Sequence, residues 1–152
     1  MADGFGDDVV DKLKHALATE YYAYHMYRSA YNMAKGIRRT SIIDELKEHA
    51  SEELEHADML EDRIRILGGS TFSDPTEWDI WNETTIPSIT SSDIGEILAV
   101  VRDSEKYAVD VYSKLYNELT DDPVSQDIVL RILTKEQEHL FDVQYNMIGL
   151  TS

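Results

Sequence analysis

The stretches Glu53-Leu54-Glu55-His56 and Glu136-Gln137-Glu138-His139 share one grammar, a Glu followed three residues later by a His. Residues three apart on a helix lie on one face, so each pair aims a carboxylate and an imidazole at one spot and can hold a metal ion there. Both pairs sit on apolar stripes of helical spacing. One runs through Leu46, Glu53, His56, Leu60, Ile64 and Leu67, the other through Ile128, Ile132, Glu136, His139, Val143 and Met147. Position on such a stripe turns the Glu and His inward, where an ionisable group needs a partner.

Two further segments carry the same pattern with one inward Glu each. Val10, Leu13, Leu17, Glu20, Tyr24, Tyr27 and Tyr31 step by three or four, and so do Ile94, Leu98, Val101, Glu105, Ala108, Tyr112, Leu115 and Leu119. The spacing predicts four long helices over about 7–36, 41–67, 92–119 and 123–148. Gly36 and Gly68-Gly69 are their stops, Ser41-Ile42-Ile43-Asp44 resembles a capping box, and Asp122-Pro123 reads as cap and first-turn proline. Between the second and third helices, residues 68–91 lose the pattern: Ser, Thr, Asp, Pro75 and Pro87 dominate, with Trp78 and Trp81 among them. An extended run of about 22 residues spans roughly 70 Å, more than the length of a bundle, so this stretch is expected to be a crossover that sets the third helix parallel to the second. The tryptophans are expected to pin it to the bundle or to a neighbouring subunit. The fold class that follows is all-α: a single domain over 1–152, an antiparallel four-helix bundle with a long crossover between helices two and three.

Composition removes several classes of function. With 42% hydrophobic residues, 152 residues can bury an adequate core. The absence of Cys excludes thiolate-held zinc or iron–sulfur sites, thiol nucleophiles and disulfides, and fits a reducing compartment. The first residues lack a basic stretch followed by an apolar run, and no run of apolar residues reaches membrane-spanning length, so a cytoplasmic location is expected. A formal charge of -16 argues against nucleic acid as a partner and for attraction of cations.

Glu20, Glu53, Glu105 and Glu136 each fall near the middle of their helix, and His56 and His139 accompany two of them, so all six are expected to converge at mid-bundle. Four buried carboxylates alone would repel and pay several kcal/mol each in desolvation, and two divalent cations would balance their charge. Oxygen-rich ligation with one imidazole per ion suits iron or manganese, and zinc also accepts it. Two ions about 3.5–4 Å apart with open positions can take peroxide or dioxygen between them, and with redox-active iron the natural chemistry is oxidation of Fe(II).

A Glu on the first helix, Glu-x-x-His on the second, Glu on the third and Glu-x-x-His on the fourth resembles the bacterioferritin and Dps-like branch of the ferritin-like superfamily, over about residues 7–149. The resemblance implies a ferroxidase that stores and detoxifies iron with H2O2 or O2 as oxidant. It implies Glu20, Glu105, His56 and His139 as terminal ligands and Glu53 and Glu136 as bridges of two iron ions per subunit, with Tyr27 beside them. Leu54 stands where bacterioferritins carry their haem-ligating Met, so no haem is expected. Only 13 residues follow His139, too few for the fifth helix of 24-subunit cages, so a dodecameric homo-oligomer is the better match, although the cysteines common in Dps-like members are missing. His15, His25 and His49 read as surface or supporting residues, His49 standing one turn before Glu53. The competing readings are a non-storing rubrerythrin-type peroxidase or manganese catalase, and a bundle whose metals only stabilise a partner-binding surface.

Overall fold

Helices form where apolar residues recur every third or fourth position between clear stops. The computed structural model describes residues 4–81 and 88–151, and contains α1 (Gly4–Met33), α2 (Arg39–Ile66), the five-residue α3 (Glu77–Trp81), α4 (Ile94–Glu118) and α5 (Pro123–Thr151). None of the described residues is in a strand, and none of the described helices is long and apolar enough to cross a membrane.

The helix ends follow local chemistry. At the end of α2, Gly68 adopts φ +86°, its N–H donates to the Arg65 carbonyl at 3.0 Å and that of Gly69 to the Ile64 carbonyl at 2.9 Å, the paired bonds of a Schellman stop. Asp93 caps α4 by accepting from the Glu96 N–H at 3.0 Å, and Asp122 caps α5 by accepting from the Ser125 N–H at 3.1 Å, with Pro123 in the first turn. The start of α2 departs from expectation. It begins at Arg39, so Ser41 already lies inside the helix, where its hydroxyl donates to the Arg38 carbonyl at 2.7 Å, and no capping box forms. The reason is Gly36: its φ of +102° turns the chain early, and its carbonyl accepts from Arg39 N–H at 3.1 Å to start the helix two residues sooner.

Partner pairs fix the directions. Tyr27 meets Glu105 and Tyr112 meets Glu20, so α1 and α4 run in opposite senses. By the same rule α1 opposes α2 (Glu20 with His56, Tyr27 with His49) and α2 opposes α5 (Glu45 with Asn146, Arg63 with Ser125). Helices α2 and α4 both oppose α1 and are therefore parallel, as a long connection requires. Residues of that connection hold to α1: Trp78 stacks on Tyr21 with ring centroids 4.8 Å apart, and Trp81 meets His15 edge-on at 5.1 Å, with its carbonyl also bonded to the His15 ring. The turn of helix at α3, too short to leave a periodic signal, was not expected within the crossover; the part of the crossover at 82–87, with Pro87, lies outside the described residues.

The core is split in two along the bundle axis. Leu13, Leu17, Leu60, Ile64, Leu115 and Ile132 belong to one half, and Met26, Ile42, Leu46, Leu98, Val101 and Val143 to the other. On α1 the inner face is narrower than the aromatic stepping suggested. Ala23, Met26, Tyr27 and Ala30 are buried, whereas Tyr24 and Tyr31 sit half-buried at the rim with the Arg28 guanidinium beside both rings. Each apolar half buries large side chains, and the polar layer between them is where the inward acids meet.

Candidate metal centre

Glu20 of α1, Glu53 and His56 of α2, Glu105 of α4 and Glu136 and His139 of α5 are all buried, none more than 4% exposed. Their ligand atoms form two overlapping sets. In one, atoms of Glu20, Glu53, His56 and Glu136 lie within 4.8 Å of one another, and in the other, atoms of Glu53, Glu105, Glu136 and His139 do. Glu53 and Glu136 belong to both, the position a bridging carboxylate occupies between two ions.

Among the described residues, seven side-chain atoms of these six have no hydrogen-bond partner: Glu20 Oε2, Glu53 Oε1, His56 Nδ1, Glu105 Oε2, both oxygens of Glu136 and His139 Nδ1. Several of them are nonetheless close, with His56 Nδ1 2.9 Å from Glu136 Oε1 and His139 Nδ1 2.9 Å from Glu53 Oε1. These atoms crowd one spot, as the ligands of a shared cation do. A buried polar atom without a partner costs about 1–3 kcal/mol, and a cation among these seven would offset that cost. The donor set of four carboxylates and two imidazoles fits two divalent transition-metal ions.

Two tyrosines orient the carboxylates. Tyr27 donates to Glu105 Oε1 and Tyr112 to Glu20 Oε1, each at 2.5 Å, and in both acids it is the other oxygen that is left free. Burial, and then the adjoining carboxylates, raise both phenols well above their ordinary pKa, so they remain donors.

The electrostatics without metal record the same need for positive charge. Burial opposes a charged His56, but the carboxylates of Glu136 and Glu20 outweigh it and push the pKa up to about 10; His139 is raised in the same way by Glu105, Glu136 and Glu53. Burial and then the Glu136 carboxylate raise Glu53 and Glu105, while burial of Glu136 is outweighed by the nearby imidazoles of His139 and His56, which lower it. Protons crowd the site in place of cations.

The chain matches the ferritin-like domain family over residues 10–146. It belongs to the ferritin-like family. It is 30% identical over 137 residues to the DNA protection during starvation protein of Pyrococcus furiosus, covering 88% of this chain and 73% of that one. Among solved structures it is similar to the dodecameric thioferritin described as the bacterioferritin-related protein of Bacteroides fragilis, with 31% identity, a TM-score of 0.91 and 96% and 88% of the two chains covered. Dps1 of Mycobacterium smegmatis, at 19% identity, a TM-score of 0.90 and coverage of 97% and 99%, shares the fold.

In this ferritin-like chain the six residues singled out from sequence, with Tyr27, are brought together; of three further neighbours, His49 had been read as a surface or supporting residue, and Tyr112 and Glu52 had no role. Tyr112 read as packing, yet the signal was present: Glu105 precedes Tyr112 by seven residues as Glu20 precedes Tyr27, so each half of the bundle offers a tyrosine to the other half's acid. Glu52 accepts from His139 Nε2 at 2.5 Å, which turns Nδ1 toward the acids, where a cation would take the place of its proton. His49 is buried beneath the site, its ring 4.1 Å from that of His139, and burial and then the His139 imidazole push it down to about 4 against the pull of Asp142. His25 is exposed, and His15 is half-buried under Trp81.

Proposed function

We propose that this ferritin-like chain is a ferroxidase that takes Fe(II) as substrate at an intra-subunit site for two ions and serves iron storage and detoxification. The observation that carries the reading is the set of seven buried, unpartnered ligand atoms converging from four helices. Glu20 with His56 and Glu105 with His139 would each terminate one ion, and Glu53 and Glu136 would bridge. Tyr27 and Tyr112 hold one oxygen of Glu105 and Glu20 so that the other is presented to the metal, and Glu52 fixes the tautomer of His139. Two Fe(II) give up one electron each, and H2O2 with two protons becomes two waters; with O2 the same two electrons yield peroxide. Manganese or zinc would fit the ligands, but only a redox-active ion uses this chemistry.

The similarity to a dodecameric Bacteroides protein supports a homo-oligomeric cage of the Dps type, and the charge of -16 would attract cations to it. That charge also speaks against contact with nucleic-acid phosphates by this chain. A reducing cytoplasm, where Fe(II) persists, suits the reading.

Stopped-flow mixing of anaerobic Fe(II)-loaded protein with H2O2 or O2, followed by iron content after passage through a sizing column, tests the proposal. Rapid oxidation, loss of that activity in Glu136→Ala and a mass of about twelve times 17.4 kDa are expected. Oxidation no faster than in protein-free buffer would overturn it.

A further inference from the structure

We propose that Glu45, His49 and Asp142 form a third cation site, separate from the six-residue centre, that binds a divalent transition-metal ion. One nitrogen of His49 and one oxygen each of Glu45 and Asp142 lie within 4.8 Å of one another, and none of the three belongs to the two sets described above. Helix α2 supplies Glu45 and His49 one turn apart, and α5 supplies Asp142 opposite them.

His49 makes this more than a pair of surface acids. It is only 3% exposed, wedged against the rings of His139 at 4.1 Å and Tyr27 at 5.4 Å. Among the described residues Nδ1 has no hydrogen-bond partner, and Nε2 meets only the cluster's own Asp142. That Nε2···Oδ2 separation is 3.3 Å. Two ligands of one tetrahedral ion, with bonds of about 2.0–2.1 Å, stand about 3.3 Å apart. The Asn146 amide donates to Glu45 and holds that carboxylate over the groove. Burial and the facing Asp142 carboxylate also raise the Glu45 pKa, as two acids do when no cation lies between them.

The donor set selects the ion. An imidazole among the ligands disfavours Mg²⁺ and Ca²⁺, which prefer all-oxygen shells, and favours Zn²⁺, Co²⁺, Fe²⁺ or Mn²⁺. Both carboxylates are half-buried rather than sealed, so exchangeable water can complete the shell and the ion has access from solvent.

Equilibrium dialysis of Co²⁺ under anaerobic conditions against the whole protein, compared with the double variant Glu45→Gln, Asp142→Asn, tests the site. The readout is the difference between the two proteins, so it does not depend on what the six-residue centre holds. Loss of one equivalent per chain in the variant is expected, a fall from three to two if the centre takes two ions. Equal stoichiometry in both proteins would overturn the proposal. Anomalous diffraction from Co²⁺-soaked crystals of the unaltered protein gives a second reading free of any folding defect: a peak enclosed by Glu45, His49 and Asp142 supports the site, and its absence at saturating Co²⁺ overturns it.

Discussion

Stripping the metal and following unfolding as the pH rises is the perturbation whose sign the structure fixes best. Without cations, burial and then Glu136 hold Glu53 and Glu105 protonated above the ordinary carboxylate range, and the neighbouring acids, working against burial, push His56 from 6.5 up to about 10. All three bind protons more tightly folded than unfolded. The stability they contribute is complete below the unfolded pKa and is lost as pH rises through the folded value. For His56 that window runs from 6.5 to about 10, so the metal-free protein weakens across it. Glu136 runs the other way: its pKa is lowered, and its contribution disappears only in acid, outside that window. Bound divalent ions replace the protons, and their affinity grows as the competing protons leave. One ion at a hundred times its Kd adds about 2.7 kcal/mol and two add about 5.4 kcal/mol; at about 2–4 °C per kcal/mol for a chain this size the midpoint rises by roughly 11–22 °C. Thermal melts by circular dichroism at pH 6.5 and pH 9, at fixed chain concentration, with and without Mn²⁺, measure both effects. A chelated protein equally stable at both pH values, with a midpoint unmoved by metal at either, would refute the reasoning.

Other consequences are more local. Tyr112→Phe removes the donor that fixes Glu20, and Tyr27→Phe the one that fixes Glu105; each is expected to weaken one of the two Co²⁺ steps that belong to the six-residue centre by about 10–100-fold while sparing the other, as read by calorimetric titration. Asp122→Ala deletes the α5 cap and its 3.0 Å bridge to Arg63, at a loss of about 1–3 kcal/mol in urea unfolding. Burial would raise the Asp122 pKa, but Ser125 and Arg63 outweigh it and hold it low, so its contribution is present above the ordinary Asp value and is lost as pH falls through the folded one; the variant should match the parent in strong acid. Gly69→Ala would bring a Cβ to 2.6 Å from Val10 Cγ1, and because valine is stiff at χ1 the overpacking is expected to lower stability by about 1–3 kcal/mol; an unchanged urea midpoint would show that α1 can shift there.

The placement of Glu20, Glu53, Glu105 and Glu136 was legible because an acid on an apolar stripe contradicts its surroundings, and four such contradictions at mid-helix share one resolution. The parallel course of α2 and α4 was legible from the length of the connection alone. What escaped was local or cross-helix. Helix α3 has five residues, fewer than two turns, and no period can register. Ser41 to Asp44 has the letters of a capping box, but the backbone of Gly36 started the helix before the box could act. Tyr112 was seen as apolar bulk because its hydroxyl finds Glu20 on a helix 92 residues away in sequence, a partner that no local pattern names. His49 and Glu52 likewise gain their meaning from His139 and Asp142 across the α2–α5 seam, where only the packed bundle sets the distance.

Six buried residues holding two ions side by side would place those ions within one scattering distance of each other. X-ray absorption fine structure of anaerobic, Fe(II)-loaded protein reads this directly. An Fe–Fe scattering path at about 3.5–4 Å is expected, and it should disappear in Glu53→Ala. Iron scattering with light-atom shells alone in the unaltered protein, or an Fe–Fe path that survives the loss of Glu53, would contradict it.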